Sequence, residues 1–129
     1  DGLTDLPLDQ HIDEFRRRQA VASFIAVRTG QSFHCVHSDD GGLVTSFGRI
    51  AESEFWINAG FFCLRKEIFD YIEEGDELVE KPFERLIEQR KLTVYRYKGF
   101  WQQMDTFRDK IMYDRMEGRG DCPWMVWKR

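Results

Sequence analysis

The 129-residue chain holds no apolar run long enough to cross a membrane: the longest, Phe55 to Leu64, is broken by Asn58 and falls far short of the roughly 20 residues a spanning helix needs. It has no surplus of positive charge either. With 19 Lys+Arg against 23 Asp+Glu the net charge is −4, and the one basic cluster, Arg16-Arg17-Arg18, falls at a helix end, so a nucleic-acid partner is not expected. Three cysteines, Cys35, Cys63 and Cys122, are too few and too scattered for a disulfide framework, which points to a reducing, cytoplasmic setting. Three prolines, each near an element boundary, and no Gly-rich linker, repeat or low-complexity tract leave a single domain over residues 1–129. Dinucleotide and phosphate-loop glycine motifs, a Gly-x-Ser-x-Gly elbow and a His-Glu-x-x-His pair are all missing, so the chain carries no complete catalytic kit. It opens on Asp1-Gly2-Leu3 without a Met, which reads as a fragment or a processed piece.

What is present is a core and an alternation of elements. Hydrophobic residues make up 42% of the chain, with 11 Phe, 4 Trp and 4 Tyr, enough to bury a core. Thr4 or Asp5 to about Arg18 reads as an amphipathic helix with Leu8, Ile12 and Phe15 on one face. Val21 to Val27 (VASFIAV) suits a strand covered on both faces. Phe33 to His37 and Leu43 to Phe47 flank Asp39-Asp40-Gly41-Gly42 as a hairpin does, and this hairpin is expected to make the sheet only partly parallel. Trp56 to Leu64 reads as a second buried strand, followed by a short helix from about Lys66 to Ile72 and a helix from Pro82 with Phe83, Leu86 and Ile87 on one face. Leu92 to Tyr97 alternates as a half-exposed strand; Phe100 to Met104 follows, and Thr106 caps a last helix to about Glu117. The expected class is mixed α/β.

Chemistry-bearing residues are few. Asn58 and Gly60 interrupt an apolar strand; together they make either a floor for a polar ligand or an amide bonded to its own loop beside a glycine that admits a bulky neighbour. Asp105 follows a strand and precedes a helix, where α/β proteins place ligands, and Asp1 stands in a similar position before Gly2. Two such carboxylates suit Mg²⁺, which takes one or two protein carboxylates and fills its shell with water and phosphate oxygens; Asp before a helix is also an ordinary cap. His34 and His37 point to opposite faces of one strand, and Arg119-Gly120-Asp121 reads as chance.

Four segments together resemble the sugar-1-phosphate nucleotidyltransferases, in particular their glucose-1-phosphate cytidylyltransferase branch: Asp1-Gly2 with LTDLPL, WINAGFF at 56–62, FWQQMDTFRDK at 100–110 and CPWMVW at 122–127. Their order and spacing agree along nearly the whole chain. The resemblance implies an α/β fold with a Rossmann-like mixed sheet, the carboxy-terminal portion of the nucleotide-diphospho-sugar transferase type, with Asp1 and Asp105 as the catalytic, Mg²⁺-holding aspartates and Asn58 and Gly60 on the sugar-binding strand. It implies attack of a sugar-1-phosphate oxygen on the α-phosphorus of a nucleoside triphosphate, with glucose-1-phosphate and CTP as the expected pair and pyrophosphate released. The family's amino-terminal half, with the loop that cradles the triphosphate, is missing, so this chain alone is expected to be inactive.

Two positions depart from the pattern. The family's sugar-contacting Glu-Lys-Pro, due soon after Phe47, is replaced by Gly48-Arg49-Ile50-Ala51, which leaves Arg49 as the substitute cation; Glu80-Lys81-Pro82 lies in the wrong place to serve. His34 stands where the family has a glycine beside the sugar. A non-catalytic sugar-phosphate-binding or regulatory module that kept the fold is the alternative. Trp124 and Trp127 would pack either on their own domain or on a second copy in a homo-oligomer.

Overall fold

In the computed structural model the described residues are 2–28, 33–50 and 55–128, and the account below concerns these. The elements in chain order are β1 (Gly2–Thr4), α1 (Leu8–Arg18), β2 (Ala22–Val27), β3 (His34–Ser38), β4 (Val44–Arg49), β5 (Ile57–Asn58), β6 (Cys63–Leu64), α2 (Lys81–Glu88), β7 (Leu92–Tyr97), β8 (Trp101–Gln103) and α3 (Phe107–Gly118), with 3₁₀ turns at Lys66–Tyr71 and Val126–Lys128. No described helix is long and apolar enough to cross a membrane.

β2 is the hub. Its run of Ala, Ile and Val without a charge lets it sit at the centre of a sheet, parallel to β7 on one side and antiparallel to β5 and β6 on the other. Alternation then splits its side chains. Ala22 and Phe24 pack with Ile68, Phe83, Leu86 and Leu92 under α2, while Ile25 and Val27 pack with Leu6, Ala59, Tyr95, Tyr97 and Trp101 on the side of α1. β1 and β8 form a separate antiparallel pair, Gly2 opposite Gln103 and Thr4 opposite Trp101.

Several expectations change. The mixed character of the sheet comes from β5 and β6, because β3 and β4 form their own two-stranded sheet. The hairpin itself is as expected, with the Asp39 carboxylate accepting the amides of Gly41 and Leu43 at 2.9 Å. Helix α1 begins at Leu8 after Pro7; Thr4 and Asp5 are not its caps, since both are engaged by Phe100 on the next strand pair. The buried face of α1 carries His11 and Phe15, and Leu8 and Ile12 are exposed, because His11 finds a hydroxyl on β2 that an aliphatic side chain could not use. On α2, Phe83 and Leu86 are buried but Ile87 is exposed. The 56–64 segment is not a continuous buried strand. Two residues bulge out between Asn58 and Cys63, where Gly60 and Phe61 both take positive φ, and the segment runs along β2 as an interrupted edge.

Candidate functional site

The β8–α3 junction is built by an N-cap of the expected kind. Thr106 Oγ1 accepts the amide of Asp109 at 3.2 Å, and the Asp109 carboxylate accepts the amides of Thr106 at 3.0 Å and Asp105 at 3.2 Å. Hydrogen bonding to Thr106 holds the Asp109 carboxyl below the usual carboxylate range. Asp109 is therefore committed to the helix end, and Asp105, two residues past the end of β8, is exposed.

Facing it is β1. The register of β1 with β8 ends at Gly2 opposite Gln103, one residue from Asp1 along one strand and two from Asp105 along the other. Asp1 itself lies outside the described residues. The pairing is anchored at its far end: Asp5 accepts the Phe100 amide at 2.9 Å and the Tyr97 hydroxyl, and Thr4 Oγ1 donates to the Phe100 carbonyl at 2.7 Å. These ties span more than ninety residues of sequence and replace the capping roles expected of Thr4 and Asp5. Beside the Gly2–Met104 end lies a largely apolar cleft of about 520 Å³, lined by Gly2, Leu3, Met104, Tyr113, Asp114 and Trp124 among others.

Asn58 and Gly60 take the second of the two readings in one respect. Asn58 is exposed, not buried, and its Oδ1 accepts the Gly60 amide at 2.9 Å. Gly60 has φ +76°, and nothing lies within 4 Å of where a Cβ would stand, so backbone conformation, not a close neighbour, calls for glycine. By strand alternation Asn58 shares its sheet face with Trp56, Arg28 and Arg96; the two guanidinium carbons lie 5.3 and 5.4 Å from the Trp56 ring, which puts positive charge at this end of β2 and β7.

Trp101 links the two parts. Its indole Nε1 donates to the Ala59 carbonyl, between Asn58 and Gly60, at 3.1 Å, and a Cβ at Gly2 would stand 3.2 Å from that same nitrogen. Nothing local in the sequence marks Trp101 for this contact, since only the fold brings residue 59 to it.

Other candidates lie elsewhere. Arg49 is exposed on β4 opposite His34, in the separate hairpin sheet, and His34 stacks on Phe47 at 4.9 Å. His37 meets Ser46 at 2.9 Å, so the two histidines do not converge, and among the described residues no group of three or more His, Cys, Asp or Glu could hold a metal. Lys81 pairs with Glu84 and Pro82 is buried in the α2 packing, so Glu80-Lys81-Pro82 is structural. Trp124 packs on its own domain, against Tyr113 at 5.2 Å and Phe100 at 5.8 Å, while Trp127 is exposed.

A polar row crosses the sheet under α1: Cys63, Ser23 and Thr93 are register partners on β6, β2 and β7. Buried His11 reaches Ser23 Oγ with Nε2 at 3.2 Å and Cys63 Sγ with Nδ1 at 3.8 Å. Burial lowers the His11 pKa, partly offset by Glu14, and raises that of the Cys63 thiol, partly offset by Arg16.

No family model matches the chain. Curated relatives do: a probable glucose-1-phosphate cytidylyltransferase of Bacillus subtilis is 30% identical over 98% of this chain, and the glucose-1-phosphate cytidylyltransferase of Salmonella typhi is 30% identical over 99%. The chain spans about half the length of these relatives, 50% in each case. Among solved structures, one from Bacillus anthracis, provisionally designated a glucose-1-phosphate thymidylyltransferase and crystallised with sucrose, superimposes with a TM-score of 0.59 at 12% identity, over 94% of this chain and 52% of that one. That likeness bears on the fold, a mixed α/β sheet. Along nearly its whole length the chain is similar to half of a sugar-1-phosphate nucleotidyltransferase.

Proposed function

We propose that this chain is the carboxy-terminal, sugar- and metal-binding half of a nucleotidyltransferase that joins a sugar-1-phosphate, glucose-1-phosphate first among candidates, to a nucleoside triphosphate, CTP first among candidates. The observation that carries the reading is the β1–β8 pairing, which ends one residue from Asp1 and two from Asp105 although 104 positions separate them in sequence. Two hard carboxylate donors at one strand end suit Mg²⁺, which keeps most of its shell for water and phosphate oxygens. Asp1 and Asp105 would hold it, and when bound it supplies charge neutralisation between two phosphate groups that otherwise repel. Gln103 and Met104 set the distance between Asp105 and the anchored part of β8, and the Thr106–Asp109 cap fixes the direction in which the chain leaves Asp105. Asn58 would offer its amide to sugar hydroxyls, since the bond from the Gly60 amide uses only one of its oxygen's lone pairs. Arg49, exposed on the separate hairpin, is proposed as the cation replacing the family's lysine.

The test is pyrophosphate release by the full-length gene product, with CTP, dTTP, UTP and GTP each offered with Mg²⁺ and a panel of sugar-1-phosphates. Release with one pair, falling on the order of 100-fold in Asp105→Ala, is the expected result. Sugar-phosphate binding without release in any combination would instead support the non-catalytic module, the reading favoured by the absence of Glu-Lys-Pro after Phe47.

A further inference from the structure

We infer that Trp101 is a positioning residue, a strut that holds the Asn58–Gly60 turn at a fixed height against the Gly2 end of β1. The inference rests on the functional reading above for its consequence, but its geometry stands apart from it.

Three observations carry it. The indole N–H to Ala59 carbonyl bond, 3.1 Å long, joins residues 42 apart, on β8 and on the bulged edge of the main sheet. Among the described residues β8 pairs with β1 alone, so this side-chain bond crosses between two sheets that share no backbone ladder there. The indole is also held from the other side: it packs in the cluster of Leu6, Ile25, Val27 and Ala59, and it leaves no room at Gly2, where a Cβ would meet Nε1 at 3.2 Å and the ring at 3.5 Å. The indole is thus in contact on both sides while its N–H stays bonded to Ala59.

The bulge makes the bond consequential. The turn at 59–60 is already held to β2 by the Ala59 amide to the Ile25 carbonyl at 2.9 Å and the Ile25 amide to the Gly60 carbonyl at 3.0 Å. The Ala59 carbonyl is the group turned toward the β1–β8 pair, and Trp101 is what receives it. The strut therefore fixes the height at which Asn58 is presented, which bears on how a sugar is bound there and not on gross stability.

Two variants of the full-length gene product test this. Trp101→Phe keeps an aromatic ring and removes the donor; Gly2→Ala pushes the indole by a few tenths of an ångström and keeps the donor. Hydrogen exchange of peptides spanning 55–62 should speed up in Trp101→Phe, with peptides of α2 unchanged. In turnover, the KM for sugar-1-phosphate should rise about 3- to 10-fold in Trp101→Phe, the worth of one hydrogen bond, with the nucleotide KM and kcat within about twofold of the parent. Gly2→Ala should shift the sugar-phosphate KM in the same direction by less. Unchanged exchange over 55–62 overturns the strut, as does a loss of kcat with KM preserved, the mark of a merely smaller folded fraction. If the parent protein releases no pyrophosphate with any pair, the functional reading fails, and the exchange measurement still decides the strut.

Discussion

The two faces of β2 are packed with different materials. Toward α2 the packing along Ala22 and Phe24 is apolar, against Ile68, Phe83 and Leu86, with Phe24 stacked on Phe83 at 5.9 Å. Toward α1, apolar packing shares the face with a polar row of Cys63, Ser23 and Thr93 capped by His11, and the Thr93 hydroxyl is buried without a hydrogen-bond partner. The α2 face is stabilised by area removed from water, which is non-directional. The α1 face relies on directed bonds: His11 to Ser23, Tyr97 and Phe100 to Asp5, and Trp101 to Ala59. The β1–β8 pair beside Asp105 lies toward the directed face, while Asn58 stands on the other with Arg28 and Arg96, past the end of the apolar packing. A chain that needs two strand ends at a set separation gains more from bonds with a length than from grease.

That contrast can be broken most forcefully at Leu86, which has no exposed surface. Leu86→Ala should cost about 2–5 kcal/mol by urea unfolding, with no dependence on pH, because no titratable group enters the cavity left behind.

A smaller effect, but one with a pH signature, is expected at His11. Its pKa is lowered in the folded protein by burial, with Glu14 opposing, so the unfolded chain binds more protons as pH falls below about 6.5. The groups facing the ring are Ser23, Cys63 and Tyr95 from the sheet and Glu14 from its own helix. Stability contributed by neutral His11 is present above the unfolded value and is lost as the pH drops through the lowered folded one. Unfolding measured between pH 7.5 and 5 in the parent and in His11→Gln should show a decline in the first and a flatter line in the second; parallel lines would place the acid sensitivity elsewhere.

The smallest of the three concerns Gly60. Since a Cβ there meets nothing and only its positive φ resists, Gly60→Ala should cost about 1–2 kcal/mol, and Gly60→Asn less, because Asn tolerates the left-handed region. A loss matching that at Leu86 would mean a packing role that the open space around Gly60 does not support.

The sequence made the local elements legible where one physical signal ruled. VASFIAV has no charged residue and forms the strand covered on both faces; Asp39-Asp40-Gly41-Gly42 turns the hairpin; Thr106 caps α3 as its spacing to Asp109 requires. Legibility failed where distant residues competed for the same group. Thr4 and Asp5 look like caps, yet Phe100 claims both, and nothing within ten residues of Asp5 announces this. Asn58 was expected to be buried because its neighbours are apolar, but the bulge at Gly60 and Phe61 turns the segment into an edge and exposes the amide. For the candidate site, Asp105 stands at a strand end as read, and Gly2 is paired beside it. Arg49 lies in a sheet of its own, and Asp1 lies beyond the described residues.

The register itself has a consequence for how the chain comes together. β2 pairs with β7 about 70 residues later, and β1 with β8 about 100 residues later, so neither ladder can form until most of the chain has left the ribosome. The first partner available to VASFIAV is the 57–64 segment, in antiparallel pairing across a loop half as long. The bulged edge is thus the cover of β2 nearest in sequence, and the β1–β8 ladder, next to Asp105, closes the longest loop among the described strand pairs.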